Sequence, residues 1–135
     1  MSFDPGAARG RAATILAAMW LTFALLRAWL HLVNPDADFN VAGYNVHHLY
    51  TGALIQVPAA LALAIGVRAR PARRAAEIAL GAGTGLVLDE VVYLITTDGS
   101  NASYLLPISF WGAVVLLSLA TVITLVLAAR PDVRS

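Results

Sequence analysis

The amino-acid sequence predicts an all-α integral membrane protein, a four-helix bundle running up-down-up-down with both termini in the cytoplasm. Composition is the first reason. The 135 residues are 59% hydrophobic and only 13% charged, with a mean hydropathy of +0.74, where a soluble domain carries about 25% charged residues. The second reason is a set of four apolar stretches, each long enough to cross a hydrocarbon core roughly 30 Å thick. The third is arginine placement. Eight of the nine arginines fall in the N-terminal tail, the second connection or the C-terminal tail, while the first and third connections carry Asp36, Asp38 and Asp98 instead. The positive-inside rule then puts those two connections outside. One multi-pass domain in the cell (inner) membrane, residues 1–135, is expected.

The same composition excludes several function classes. There is no cysteine, so disulfides, thiolate metal sites and thiol redox chemistry are ruled out. There is no lysine, which rules out a Schiff base or a lysine nucleophile. A net charge of +1 gives no footprint for nucleic acid, and none is expected as a partner. The partner implied by the hydropathy is the lipid bilayer.

The elements follow in order. After a polar tail ending in Arg9 and Arg11, residues 12–33 form the first span. Its apolar pattern resumes beyond Arg27, and no small-x-small cleavage site follows, which argues against a removed signal peptide. Residues 34–40 are an acidic turn in which Pro35 stops the helix. Residues 43–66 form the second span, with Pro58 inside it predicting a kink. Residues 68–74 are a basic connection, and 75–97 the third span. Residues 97–103 are a polar turn, and 104–129 the fourth span. Helix–helix connections are short, so consecutive helices are expected to be antiparallel neighbours. Trp29, Phe39, Tyr44 and Tyr104 lie where an outer aromatic belt would sit.

Chemistry concentrates on one side of the membrane. Asp89 and Glu90 are adjacent carboxylates inside the third span, and an intramembrane acid is a functional-site hypothesis by default. At 1.5 Å of rise per residue, Glu90 and Arg27 lie roughly 10 Å below the outer boundary, with His31, His47 and His48 somewhat shallower. Helical phase sets Arg27 and His31 on one face of the first helix. It sets Tyr44, His48, Gly52 and Gln56 in a stripe on the second, and Gly81, Gly85, Asp89 and Tyr93 in a matching stripe on the third. His47 and Glu90 lie about 100° off those stripes.

Three readings fit this cluster. His31, His47, His48, Asp89 and Glu90 have the ligand chemistry of a divalent-metal site, for iron or zinc, used in metal handling or a metal-dependent reaction. Arg27, Tyr44, Gln56 and Tyr93 would then support the ligands or form ion pairs with them. The Glu-x-x-His pattern of known bundle sites is missing, however. Alternatively, Arg27 and the carboxylates form a buried ion-pair and hydrogen-bond network in a non-enzymatic structural or transport-accessory protein. The third reading is a pocket for a small polar or quinone-like ligand. Haem ligation by His31 and His48 is disfavoured by the surrounding carboxylates. No nucleophile stands beside an obvious base, so no catalytic residue is assigned.

The pair of motifs His47-His48-x-x-x-Gly52 and Gly83-x-Gly85-x-x-x-Asp89-Glu90 resembles a group of short prokaryotic four-span membrane proteins of unknown function. The resemblance covers the second and third spans. It implies a four-helix membrane protein and marks the same histidines and acids, without implying an activity.

Two further motifs have structural readings. The glycines at 81, 83 and 85 suit close helix packing, and surplus glycine faces make a homodimer plausible. They are no dinucleotide fingerprint, since no βαβ frame surrounds them. Asn101-Ala-Ser103 fits a glycosylation acceptor by pattern alone.

Overall fold

The computed structural model describes residues 5–32, 40–41, 44–45 and 47–129 of the chain. Four helices are long and apolar enough to cross a membrane. They are α1 (Pro5–Leu32), α2 (His48–Ile65), α3 (Arg70–Thr96) and α5 (Pro107–Ala129). Between α3 and α5 stands the single-turn α4 (Asn101–Tyr104), and between α1 and α2 the two-residue strands β1 (Asn40–Val41) and β2 (Tyr44–Asn45).

Two spans start later than hydropathy indicates. Residues 44–45 belong to an antiparallel ladder, Asn40 opposite Asn45 and Val41 opposite Tyr44, so α2 begins at His48 rather than near Gly43. Backbone groups at 40–41 and 44–45 therefore pair with each other instead of entering a helix. Tyr44 is consequently not on the helical stripe with His48, and its side chain lies outside the described residues. The fourth span is broken at 105–106, ahead of Pro107. Proline disfavours the helical conformation in the residue before it but is well suited to a helix's first turn. Conversely, α1 and α3 extend at their N-terminal ends beyond the apolar windows by about two turns and one turn.

The helix ends have local causes. Gly66 closes α2 with φ 85°, and its N–H and that of Val67 bond to Leu63 and Ala62 carbonyls at 3.1 Å. That left-handed position is open to glycine at no steric cost. Pro71 sits in the first turn of α3.

The arrangement is centred on α3, which packs against α1, α2 and α5, while α1 also packs against α5. Extensive contacts of α2 run to α3 and not to α1, so the expectation that consecutive helices are neighbours fails for the first pair. Glycines explain the centring. A Cβ on Gly81 would collide with the Ile15 carbonyl, and one on Gly85 would come within 2.6 Å of the Met19 carbonyl, both on α1. Gly83 and Gly52 do the same across α3 and α2, at 2.6 and 2.7 Å from each other's carbonyl oxygens. The stripe matching α2 is thus carried by Gly83, and Gly81 and Gly85 face α1 instead. Alternate small residues let two backbones approach opposite sides of one helix.

Between α1 and α5 lies an apolar core of Met19, Phe23, Ala113 and Leu117. Trp20 donates its indole N–H to Thr121 Oγ1 at 3.0 Å beside it. Large apolar side chains point outward along the bundle, among them Leu25 on α1, Leu54 and Leu61 on α2, and Val115 and Leu119 on α5. In water this surface would be prohibitive; in lipid it is matched.

Candidate functional site

Asp89 and Glu90 sit about two turns beyond Gly81 and Gly83 on α3, where the glycine packing has already drawn α1 and α2 close. Both are buried, Asp89 fully and Glu90 with 2% exposure. Neither is left without donors.

Asp89 faces α1 and α4. Its Oδ1 accepts from Arg27 Nε at 2.7 Å, and its Oδ2 accepts from the Tyr104 hydroxyl and lies 3.1 Å from His48 Nε2. Arg27 is itself 4% exposed and uses its remaining donors on Ser109 Oγ at 2.9 Å and the Tyr104 carbonyl at 2.8 Å. The guanidinium stacks 3.9 Å from the Tyr104 ring centroid, with Phe23 and Phe110 each 5.9 Å away. A planar, delocalised cation suits both the fork of donors and the aromatic faces.

Glu90 faces the start of α2. Its Oε1 lies 2.6 Å from His47 Nδ1, and its Oε2 accepts the Leu49 backbone N–H at 2.6 Å. The second nitrogen of His48, Nδ1, is 3.4 Å from the same Oε2. His47 is the N-cap residue of α2 in an extended conformation, φ −57° and ψ 141°, and makes no side-chain cap bond. That non-helical geometry lets His47 and His48 both turn toward α3, although adjacent positions on a helix would diverge by about 100°. Both imidazoles are about one-quarter exposed and form the outer edge of the cluster.

Arg27 supplies a countercharge inside the cluster through its ion pair with Asp89. Both ring nitrogens of His48 also lie near carboxylate oxygens, Nε2 3.1 Å from Asp89 Oδ2 and Nδ1 3.4 Å from Glu90 Oε2. A countercharge matters because an uncompensated charge in this environment costs several kcal/mol.

The residues singled out from sequence fare differently. Arg27, His47, His48, Asp89 and Glu90 converge. Tyr93 is buried beside them, its hydroxyl donating to the Ser100 carbonyl at 3.3 Å and its ring 6.2 Å from that of His47. Gln56 is elsewhere, accepting from Thr84 Oγ1 at 3.1 Å two turns along α2. His31 is exposed at the end of α1, and no described bond ties it to the cluster. In that last turn of α1 the buried position is Leu30, beside Tyr93 and Tyr104. Among the described residues, no group of three or more His, Asp or Glu side chains is disposed to hold a metal ion.

Sequence reasoning missed Tyr104, Ser109 and the Leu49 N–H. Tyr104, expected in the aromatic belt, is 7% exposed and packs inward against His48 and Tyr93. The break before Pro107 is the signal that could have found it, because it frees the α4 turn to fold over the cluster.

The turn leading into α4 is locally bonded. Asp98 Oδ1 accepts the Ser100 N–H at 3.0 Å, and the Ser103 and Ser100 hydroxyls at 2.8 Å each. The Ser100 N–H and then the Ser103 hydroxyl hold the Asp98 carboxyl down at about 2. Ser103 is buried in these bonds, which withdraws the hydroxyl of the Asn101-Ala-Ser103 pattern. No family model, curated protein or solved structure matches this chain.

Proposed function

We propose that this chain is a non-enzymatic, structural or transport-accessory protein of the cell (inner) membrane, and that its polar cluster is a buried ion-pair and hydrogen-bond lock joining five helical segments. Its four crossings run up-down-up-down with both termini cytoplasmic. Contacts that ascend together along α1 and α3, Ile15 with Gly81 and Met19 with Gly85, support that topology. So do contacts that run oppositely along α2 and α3, His48 with Asp89 and Gln56 with Thr84. The arginine distribution supports the orientation.

One observation carries the reading. Arg27, the Tyr104 hydroxyl and the Leu49 N–H donate to the Asp89 and Glu90 carboxylates, both histidines lie against the same oxygens, and Arg27 supplies a countercharge from within the chain. An iron or zinc site built on His47, His48, Asp89 and Glu90 is the competing reading. It requires the imidazoles to leave the carboxylates, and it places a divalent ion beside the Arg27 guanidinium.

Elemental analysis decides between them, on tag-free protein purified in detergent beside the variant Asp89→Asn/Glu90→Gln. The lock reading expects far less than one equivalent of iron or zinc in the wild type, even after reconstitution, and a variant that unfolds at lower temperature. About one equivalent in the wild type, lost in a variant that stays folded, would overturn it. The glycine notches that suggested a homodimer are filled within one chain at positions 52, 81, 83, 85 and 112, so the lock needs no second copy.

A further inference from the structure

We infer that the arginines at the N-terminal end of α3 form a binding surface for the phosphate of anionic phospholipid headgroups. The inference stands on the membrane-crossing helices and is independent of how the outer cluster is read. Arg68, Arg70, Arg73 and Arg74 occupy seven consecutive positions without an acidic residue between them, and all four are exposed. Of these, only Arg73 has a described ion pair, a 4.0 Å contact with Glu77. From α1, Arg9 and Arg11 add two more exposed guanidinium groups. Ile15 lies against Gly81 and Met19 against Gly85, so Arg9 and Arg11 stand level with Ala75 and Glu77. Six cations thus gather at one end of the α1–α3 pair.

Their depth identifies the occupant. The outward apolar surface of α2 ends at Ile65, which is 86% exposed, and that of α3 begins at Ile78. The arginines lie between these two points, at the edge of the apolar belt, where headgroup phosphates sit in a bilayer. A lipid can place its acyl chains on Leu61 and Ile65 while its phosphate meets the guanidinium groups. A free anion gains nothing from that apolar surface. Guanidinium presents paired donors that match phosphate oxygens. The first turn of α3 carries no acidic side chain, and its N-cap residue Ala69 makes no side-chain bond, so nothing in that turn competes with an anion.

The test is lipid selectivity, measured by electron paramagnetic resonance of spin-labelled lipids. The full chain is reconstituted in phosphatidylcholine vesicles, and spin-labelled phosphatidylglycerol is compared with spin-labelled phosphatidylcholine. The six arginines at this end imply a preference for phosphatidylglycerol of about ten-fold or more. That preference should fall several-fold in Arg70→Gln/Arg74→Gln, which leaves the Arg73–Glu77 pair in place, and persist in Arg70→Lys/Arg74→Lys. High salt applied to the wild type should abolish it, a measurement that needs no variant to fold. Equal association of the two lipids with the wild type overturns the proposal, as does a preference unchanged in the glutamine variant. Competition by inorganic phosphate at low millimolar concentration also overturns it, by assigning the arginines to a soluble anion.

Discussion

The Glu90 carboxylate on α3 accepts the backbone N–H of Leu49, in the first turn of α2, at 2.6 Å. Helices normally cap their own first turn with the side chain at the N-cap position. Here that position is His47, which makes no such bond, and the cap comes from a residue 41 positions away. A carboxylate at this end also meets the positive pole of the helix. Glu90 is therefore at once the terminus of α2, the partner of His47 and a buried residue of α3.

Glu90→Ala should leave the Leu49 N–H and the His47 ring without their acceptor. A buried donor stripped of its partner costs about 1–3 kcal/mol, so thermal unfolding in detergent should shift down, with hydrogen exchange rising first in residues 48–52. Glu90→Gln keeps one acceptor and should lose less. Equal exchange in both variants and the wild type would show that the cap is dispensable.

Arg27 and Asp89 are expected to be strongly coupled. Removing one partner of a buried ion pair costs about 3–5 kcal/mol, because a bare charge is left behind. Arg27→Met and Asp89→Leu should each destabilise severely, and the double substitution should recover part of the loss. A double-mutant cycle in unfolding free energy measures this. Strict additivity would mean that the two do not act as a pair.

Glycine substitutions should divide by position. Gly83→Ala places a Cβ 2.6 Å from the Gly52 carbonyl oxygen, and such overpacking costs about 1–3 kcal/mol. Gly10→Ala meets nothing within 4 Å inside α1, and alanine is the better helix former by about 1 kcal/mol. The first should lower and the second raise the unfolding temperature. The opposite order would contradict the packing described.

The Asp98 turn carries a pH dependence with a definite sign. The Asp98 carboxyl is held below its ordinary value of 3.8, at about 2, so the ionised form is favoured by the folded turn. Its contribution is complete above about pH 4 and is lost as pH falls through 2. Proton exchange at Ser100 and Ser103 should accelerate over that interval in the wild type and show no such transition in Asp98→Asn.

Much of this was legible in the residues. Length and hydropathy mark four helices because a lipid-facing backbone has no alternative partner for its polar groups. The convergence of Arg27, His48 and Asp89 followed from shared depth, since charges in lipid must find one another. What the residues concealed was how far along each helix the packing extends, and the local breaks. His31 and Arg27 are four apart and share a face in an ideal wheel, yet only Arg27 reaches α3. Tyr44 has the hydropathy of a span but pairs in a strand, and Tyr104 has the chemistry of a belt residue but folds inward at a helix break. Each depends on contacts between distant segments, which a periodic pattern does not encode.

The spacing of the Arg27–Asp89 pair bears on the order in which the protein is made. The two residues are 62 positions apart, so a chain made from its N-terminus presents Arg27 well before its counterion has been synthesised. α1 and α2 have little hold on each other, and both dock on a helix that has yet to emerge. Until α3 is made, the guanidinium lacks the carboxylate it pairs with in the folded bundle. The completion of α3 is thus the assembly step, and a chain halted before it would hold two unattached helices and one stranded charge.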